Sequence, residues 1–192
     1  MKTTLAILLA AALSSLAVHA ADTVYFPKGA ENWYPKHLEA MKEPSLFEQS
    51  TNTAVEQYRF LWLRTFHKPI AVRVRKDSAG ITLRVVRLSG AGGYNPGKIE
   101  RDETFALSTK QWDDFVKLLA KASFWDVPSD EKQSGNDGAQ WVLEGQEAGK
   151  YHHVDRWTPS MNREKRKLKN FESCCRYLLK LSKEKIPKDD DY

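Results

Sequence analysis

The densest collection of chemically capable side chains lies in residues 137–159, DGAQWVLEGQEAGKYHHVDRWTP. The stretch holds two Trp, two His, an Arg and the carboxylates Asp137, Glu144, Glu147 and Asp155. A histidine beside a carboxylate and an arginine can move protons, which makes Glu144, His152 and Asp155 the catalytic candidates. Read as a hairpin closed by residues 145–149, the stretch sets Val142 opposite His152 and Glu144 opposite Lys150. Strand alternation then groups Glu144, His152 and Arg156 on one face. It groups Trp141, Tyr151, His153, Asp155 and Trp157 on the other. A simpler reading makes Trp141, Leu143, Tyr151 and Trp157 core, with Asp155 and Arg156 satisfying buried polar groups. No nucleophile accompanies the cluster, so it does not by itself define an enzyme.

Other catalytic chemistries find less support. His37, His67, His152 and His153 offer no spaced ligand set, and neighbouring strand residues such as His152 and His153 point to opposite faces. With no HExxH or CxxC, no metal is expected. Residues 89–97, SGAGGYNPG, are glycine-rich, but a phosphate loop needs a following helix and a Lys-Ser or Lys-Thr pair. Neither is present, so no cofactor is implied. The loop reads instead as an ordinary hairpin connection or as a mobile loop presenting Tyr94 to a partner. No GxSxG occurs, and Ser108 is accounted for by helix capping. Cys174 and Cys175 are adjacent, too close for an unstrained bridge, and read as buried thiols unless one pairs with another molecule.

Two basic groups each read as a solvated face or, alternatively, as a binding surface. Arg73, Arg75 and Arg84 project from adjacent strands. Arg163, Lys165, Arg166, Lys167 and Lys169 crowd the start of the last helix, where cations oppose the helix dipole. Helix stability therefore does not explain them, and an anionic partner would. The formal net charge of +5 is compatible with such a partner without demanding one. Stacking aromatics beside a basic groove are not evident, so nucleic acid is not expected.

The elements that must position these residues follow from periodicity. Strands are predicted at 58–63, 70–75, 81–87, 98–105, 141–145 and 150–157, the fourth polar enough for a sheet edge. A helix opens at Ser108, where Ser108 and Gln111 form a capping box and Leu107 and Trp112 a hydrophobic staple. A second helix is predicted from Thr158-Pro159 to about Leu181, with Leu168, Phe171, Cys175, Leu178 and Leu179 on its apolar stripe. The fold class is α+β: a mostly antiparallel sheet of about six strands with two helices packed on one face. Residues 57–182 form this single domain, and 183–192 form a charged tail. Residues 21–56, with Tyr25, Phe26, Trp33, Tyr34 and Phe47 among several prolines, form an irregular strap carrying a short helix near Lys36–Met41.

Residues 1–20 read as a secretory signal peptide. Lys2 supplies the positive start, Leu5 to Leu16 the apolar run, and Val18-His19-Ala20 the cleavage site. The run is too short for a transmembrane helix. Cleavage after Ala20 implies a periplasmic or secreted protein with no transmembrane segment in the mature chain. The pattern DGxxWxLEGxxxGxYHxxDRWxP, with YRFLWLRTFHKPIAVRV and GxGGYxPG upstream, resembles a group of exported bacterial proteins of unknown function. The resemblance implies one envelope module and brings no activity to carry over. The expectation is a non-enzymatic binding module, of the inhibitor or immunity type among others, meeting an envelope protein or an anionic glycan or lipid surface. The alternative is an envelope hydrolase acting on cell-wall or glycan material through Glu144, His152 or Asp155.

Overall fold

The computed structural model describes residues 23–30, 33–187 and 192, so the signal-peptide reading lies outside the described residues. Six antiparallel strands form one sheet: β1 (Glu56–Arg64), β2 (Ile70–Asp77), β3 (Gly80–Leu88), β4 (Ile99–Ala106), β5 (Ala139–Glu147) and β6 (Lys150–Trp157). Their spatial order is β4-β3-β2-β1-β5-β6. The polar strand β4 is an edge, and β1 lies inside the sheet between β2 and β5. β1 is buried along nearly its whole length because both faces of the sheet are covered.

Helices α3 (Thr109–Lys121) and α4 (Lys169–Ser182) cover one face. α3 starts where its capping box dictates: the Ser108 hydroxyl accepts the Gln111 N–H and the Gln111 side chain accepts the Ser108 N–H. Its apolar stripe buries Trp112, Phe115 and Leu119, and α4 adds Phe171, Cys174, Cys175, Leu178 and Leu179. These pack on Tyr58, Phe60, Trp62, Val72, Val74, Leu83, Val85, Trp141 and Leu143 from the sheet. Each fully buried large apolar side chain contributes about 1.5–3 kcal/mol relative to exposure. Both thiols are buried in this core, and burial pushes Cys174 up to about 12.

The N-terminal strap covers the opposite face. It carries α1 (Pro35–Ala40) and the one-turn α2 (Leu46–Gln49), which has no counterpart in the sequence reading and is capped by the Ser45 hydroxyl. Tyr25, Phe26, Tyr34, Leu38 and Met41 pack on Leu61, Leu63, Ala71, Val86 and Val142. His37 is fully buried beneath Trp33, and among the described residues neither of its ring nitrogens has a hydrogen-bond partner. Burial and then Lys36 lower it to about 4.

Two expectations need correction. The last helix does not begin at Thr158. Thr158 sits at φ +37° and its hydroxyl accepts the Ala139 N–H, closing the β5–β6 ladder; turns follow until Lys169. The β5–β6 register also differs. The turn is the two-residue Ala148-Gly149, both at positive φ, so Glu147 faces Lys150 and Glu144 faces His153. Gly145 belongs to the strand and not to the turn. A Cβ there would lie 2.6 Å from the Phe124 ring and 2.7 Å from that of Tyr58.

Candidate functional site

The corrected register separates the catalytic candidates. Glu144 points to the strap face with Tyr151, His153 and Asp155, while His152 and Arg156 point to the helix face with Trp141. The grouping of Glu144 with His152 and Arg156 therefore does not hold.

Glu144 is fully buried and accepts bonds from Arg59 Nε (2.8 Å) and Nη2 (2.6 Å) and from the Tyr151 hydroxyl (3.0 Å). Burial pushes its carboxyl up, and Arg59 pulls it back. The same guanidinium donates to the Pro44 carbonyl at 2.6 Å and reaches Glu43 at 3.4 Å. Glu43 in turn binds Arg73 (2.8 Å) and Arg84 (2.6 Å). Arg73 and Arg84, expected as a solvated basic face, thus help to fasten the strap to the sheet. An enclosed Glu144 clamped by arginine is an anchor, with no access to a substrate.

His152 Nε2 donates to the Val127 carbonyl at 3.0 Å, and its ring contacts Phe124 and Trp125. Burial lowers its pKa. Arg156 donates to the carbonyls of Pro128, Ser129 and Asp155 and so shapes the loop that follows α3.

Asp155 lies in the wall of a cleft, while His152 borders a separate cavity of about 330 Å³ with His153 and Asp130. Asp155 accepts hydrogen bonds from the Tyr34 hydroxyl of the strap and from the Gln140 amide of β5. Burial pushes its carboxyl up to about 6, against the pull of these two donors. The cleft above it measures about 540 Å³ and is walled by Trp33, Trp157 and the loop at 130–135. That loop is held at one end by the Asp155 N–H and Arg156, both bonded to the Ser129 carbonyl. A second cavity of about 370 Å³ shares Trp33, Gly135, Gln140 and Trp157 with the first and runs on to Thr65 and Tyr94.

The Tyr94 loop is tied down. Its Gly92 and Gly93 N–H groups donate to the His67 and Thr65 carbonyls. A Cβ on Gly92 would come within 2.5 Å of the Arg64 carbonyl, so the close approach requires glycine. Tyr94 itself is 58% exposed and lies beside Phe66, 59% exposed, with ring centroids 6.1 Å apart.

The basic group at 163–169 lies mainly in turns, with Lys169 the first residue of α4. Arg166 pairs with Glu131 and donates to the carbonyls of Trp157, Thr158 and Met161; Arg163 pairs with Glu164 and Glu172. Lys165, Lys167 and Lys169 are exposed and, among the described residues, have no ion-pair partner.

Trp33, Tyr34 and Gln140 were not singled out as site residues from the sequence, and Trp157 was read as core. The clustered aromatics of the strap were the available signal. No helix among the described residues is long and apolar enough to cross a membrane, and no three His, Cys, Asp or Glu among them could share a metal ion. No known protein-family model matches this chain, and no curated protein is significantly similar to it.

Proposed function

We propose that this chain is an exported, non-enzymatic binding module of the bacterial cell envelope, periplasmic or secreted, whose ligand lies in the cleft over Asp155. The kinship suggested by the DGxxWxLEGxxxGxYHxxDRWxP pattern is part of this reading. One observation carries it: Glu144, His152 and Asp155 occupy three separate environments, whereas the cleft gathers aromatic faces and polar side chains with no placed nucleophile. Lys165, Lys167 and Lys169 supply a separate contact for an acidic envelope protein or an anionic glycan or lipid surface.

The purified protein, immobilised and exposed to envelope extract of its own host, should retain a stoichiometric component. The Trp33→Ala variant should lose it while its unfolding midpoint stays close to that of the parent. Equal retention by both proteins would remove the cleft from the reading.

Asp155 favours a second reading, an envelope hydrolase, because a buried carboxyl held near 6 is suited to donate a proton. Turnover of cell-wall or glycan material that disappears in Asp155→Asn would establish that reading over the first.

A further inference from the structure

We infer that the two joined cavities form one groove for a neutral oligosaccharide, an inference that rests on the cleft being the ligand site. The groove runs from Asp155 past Trp33 and Trp157 to Tyr94. Trp33 and Trp157 stand at the junction. Trp157 is fixed there by Gly135, where a Cβ would lie 2.2 Å from its six-membered ring. Each cavity is of a size that holds a small organic ligand, and together they suit a chain of rings.

The lining chemistry selects the ligand class. Aromatic faces meet the C–H faces of sugar rings and contribute apolar burial. Gln140, Gln133 and Ser134 supply amide and hydroxyl groups for directional bonds to hydroxyls. The Asp155 carboxylate has about four acceptor positions, of which Tyr34 and Gln140 occupy two, so it can also accept from a ligand hydroxyl. Charge disfavours acidic chains at the Asp155 end of the groove, whereas the exposed Lys36 lines the Tyr94 end. Asp130 is exposed on the rim, Asp155 lies on the floor, and the charge of Glu131 is already matched by Arg166. An anionic chain would face two carboxylates without a matching cation on that side. The polar floor also separates the groove from an apolar peptide-docking surface, whose energy comes from anchored aliphatic side chains.

Isothermal titration of the purified protein with neutral tetrasaccharides (cello-, malto-, manno- and N-acetylchito-tetraose), and with trigalacturonate, tests this. At least one neutral tetrasaccharide should bind saturably, and trigalacturonate about tenfold more weakly or not at all. Trp33→Ala and Gln140→Ala should each weaken the neutral ligand about tenfold while the near-ultraviolet circular dichroism is kept. Failure of all four neutral sugars, or equal binding by both variants, overturns the inference. If the envelope extract instead yields a peptide retained through Trp33, the groove is a peptide site and the binding-module reading survives. If nothing is retained through Trp33, both fall.

Discussion

The Tyr34 hydroxyl donates to the Asp155 carboxylate across 121 residues of sequence, joining the strap to the edge strand β6 at the floor of the cleft. The bond is both a fastening and a tuning device, because it favours the ionised form of a carboxyl that burial pushes the other way.

Tyr34→Phe should therefore do two things. Unfolding in urea should show a loss of about 1–3 kcal/mol, the cost of leaving one buried partner unmatched. The Asp155 carboxyl, followed by carbon-detected NMR, should titrate higher than in the parent. A titration that does not rise would show that the Tyr34 hydroxyl does not favour the ionised form.

Asp155 and His37 should oppose each other in the pH dependence of stability. The folded pKa of His37 is lowered from 6.5 to about 4, so its contribution is present above 6.5 and is lost as pH falls toward 4. The folded pKa of Asp155 is raised from 3.8 to about 6, so its contribution is present below 3.8 and is lost as pH rises through 6. Between these limits the two slopes cancel. Relative to the parent, His37→Phe should gain stability on acidification from pH 6 to 4, and Asp155→Asn should lose it. Each slope should approach about 1.4 kcal/mol per pH unit. Urea midpoints of the three proteins across this range decide the matter.

Arg59→Met should be among the most damaging substitutions on the strap face. It leaves Glu144 and Glu43 buried without their shared cation. The expected loss is about 3–5 kcal/mol by urea unfolding. Glu144→Gln should cost less, since Arg59 keeps Glu43 and the Pro44 carbonyl.

The paired Trp62 and Trp141 donate both indole N–H groups to the main-chain oxygen of Tyr192, at 3.0 and 3.2 Å. Deleting Tyr192 should shift both indole N–H resonances and leave the other Trp signals in place. The buried donors should then cost about 1–3 kcal/mol in stability.

The strands and α3 were legible because they are governed by local rules: alternation for the strands, and for α3 the Ser108–Gln111 box. The hairpin register was not. Gly145 and Gly149 both look like turn residues in the sequence, yet Gly145 is small because Phe124 and Tyr58 press on it within the strand. The start of α4 misled for a related reason. Thr158-Pro159 has the composition of a helix start, but Thr158 is held at positive φ by its bond to Ala139 and cannot begin one. The candidate site was legible on one side only. Asp155 stood out in its segment, but nothing local to Tyr34 signals that it meets a residue so distant, since that contact is made by the packing of the strap over the sheet.

The covering of the second sheet face also sets an order of events. The strap precedes in the chain every strand on which it rests, including β6, so it must wait until the sheet is assembled before it can dock. In the interval Leu61, Ala71, Val86 and Val142 present a bare apolar surface, open to association with neighbouring chains. The cleft comes into being only when that wait ends, because Trp33 and Tyr34 of the strap form part of its wall.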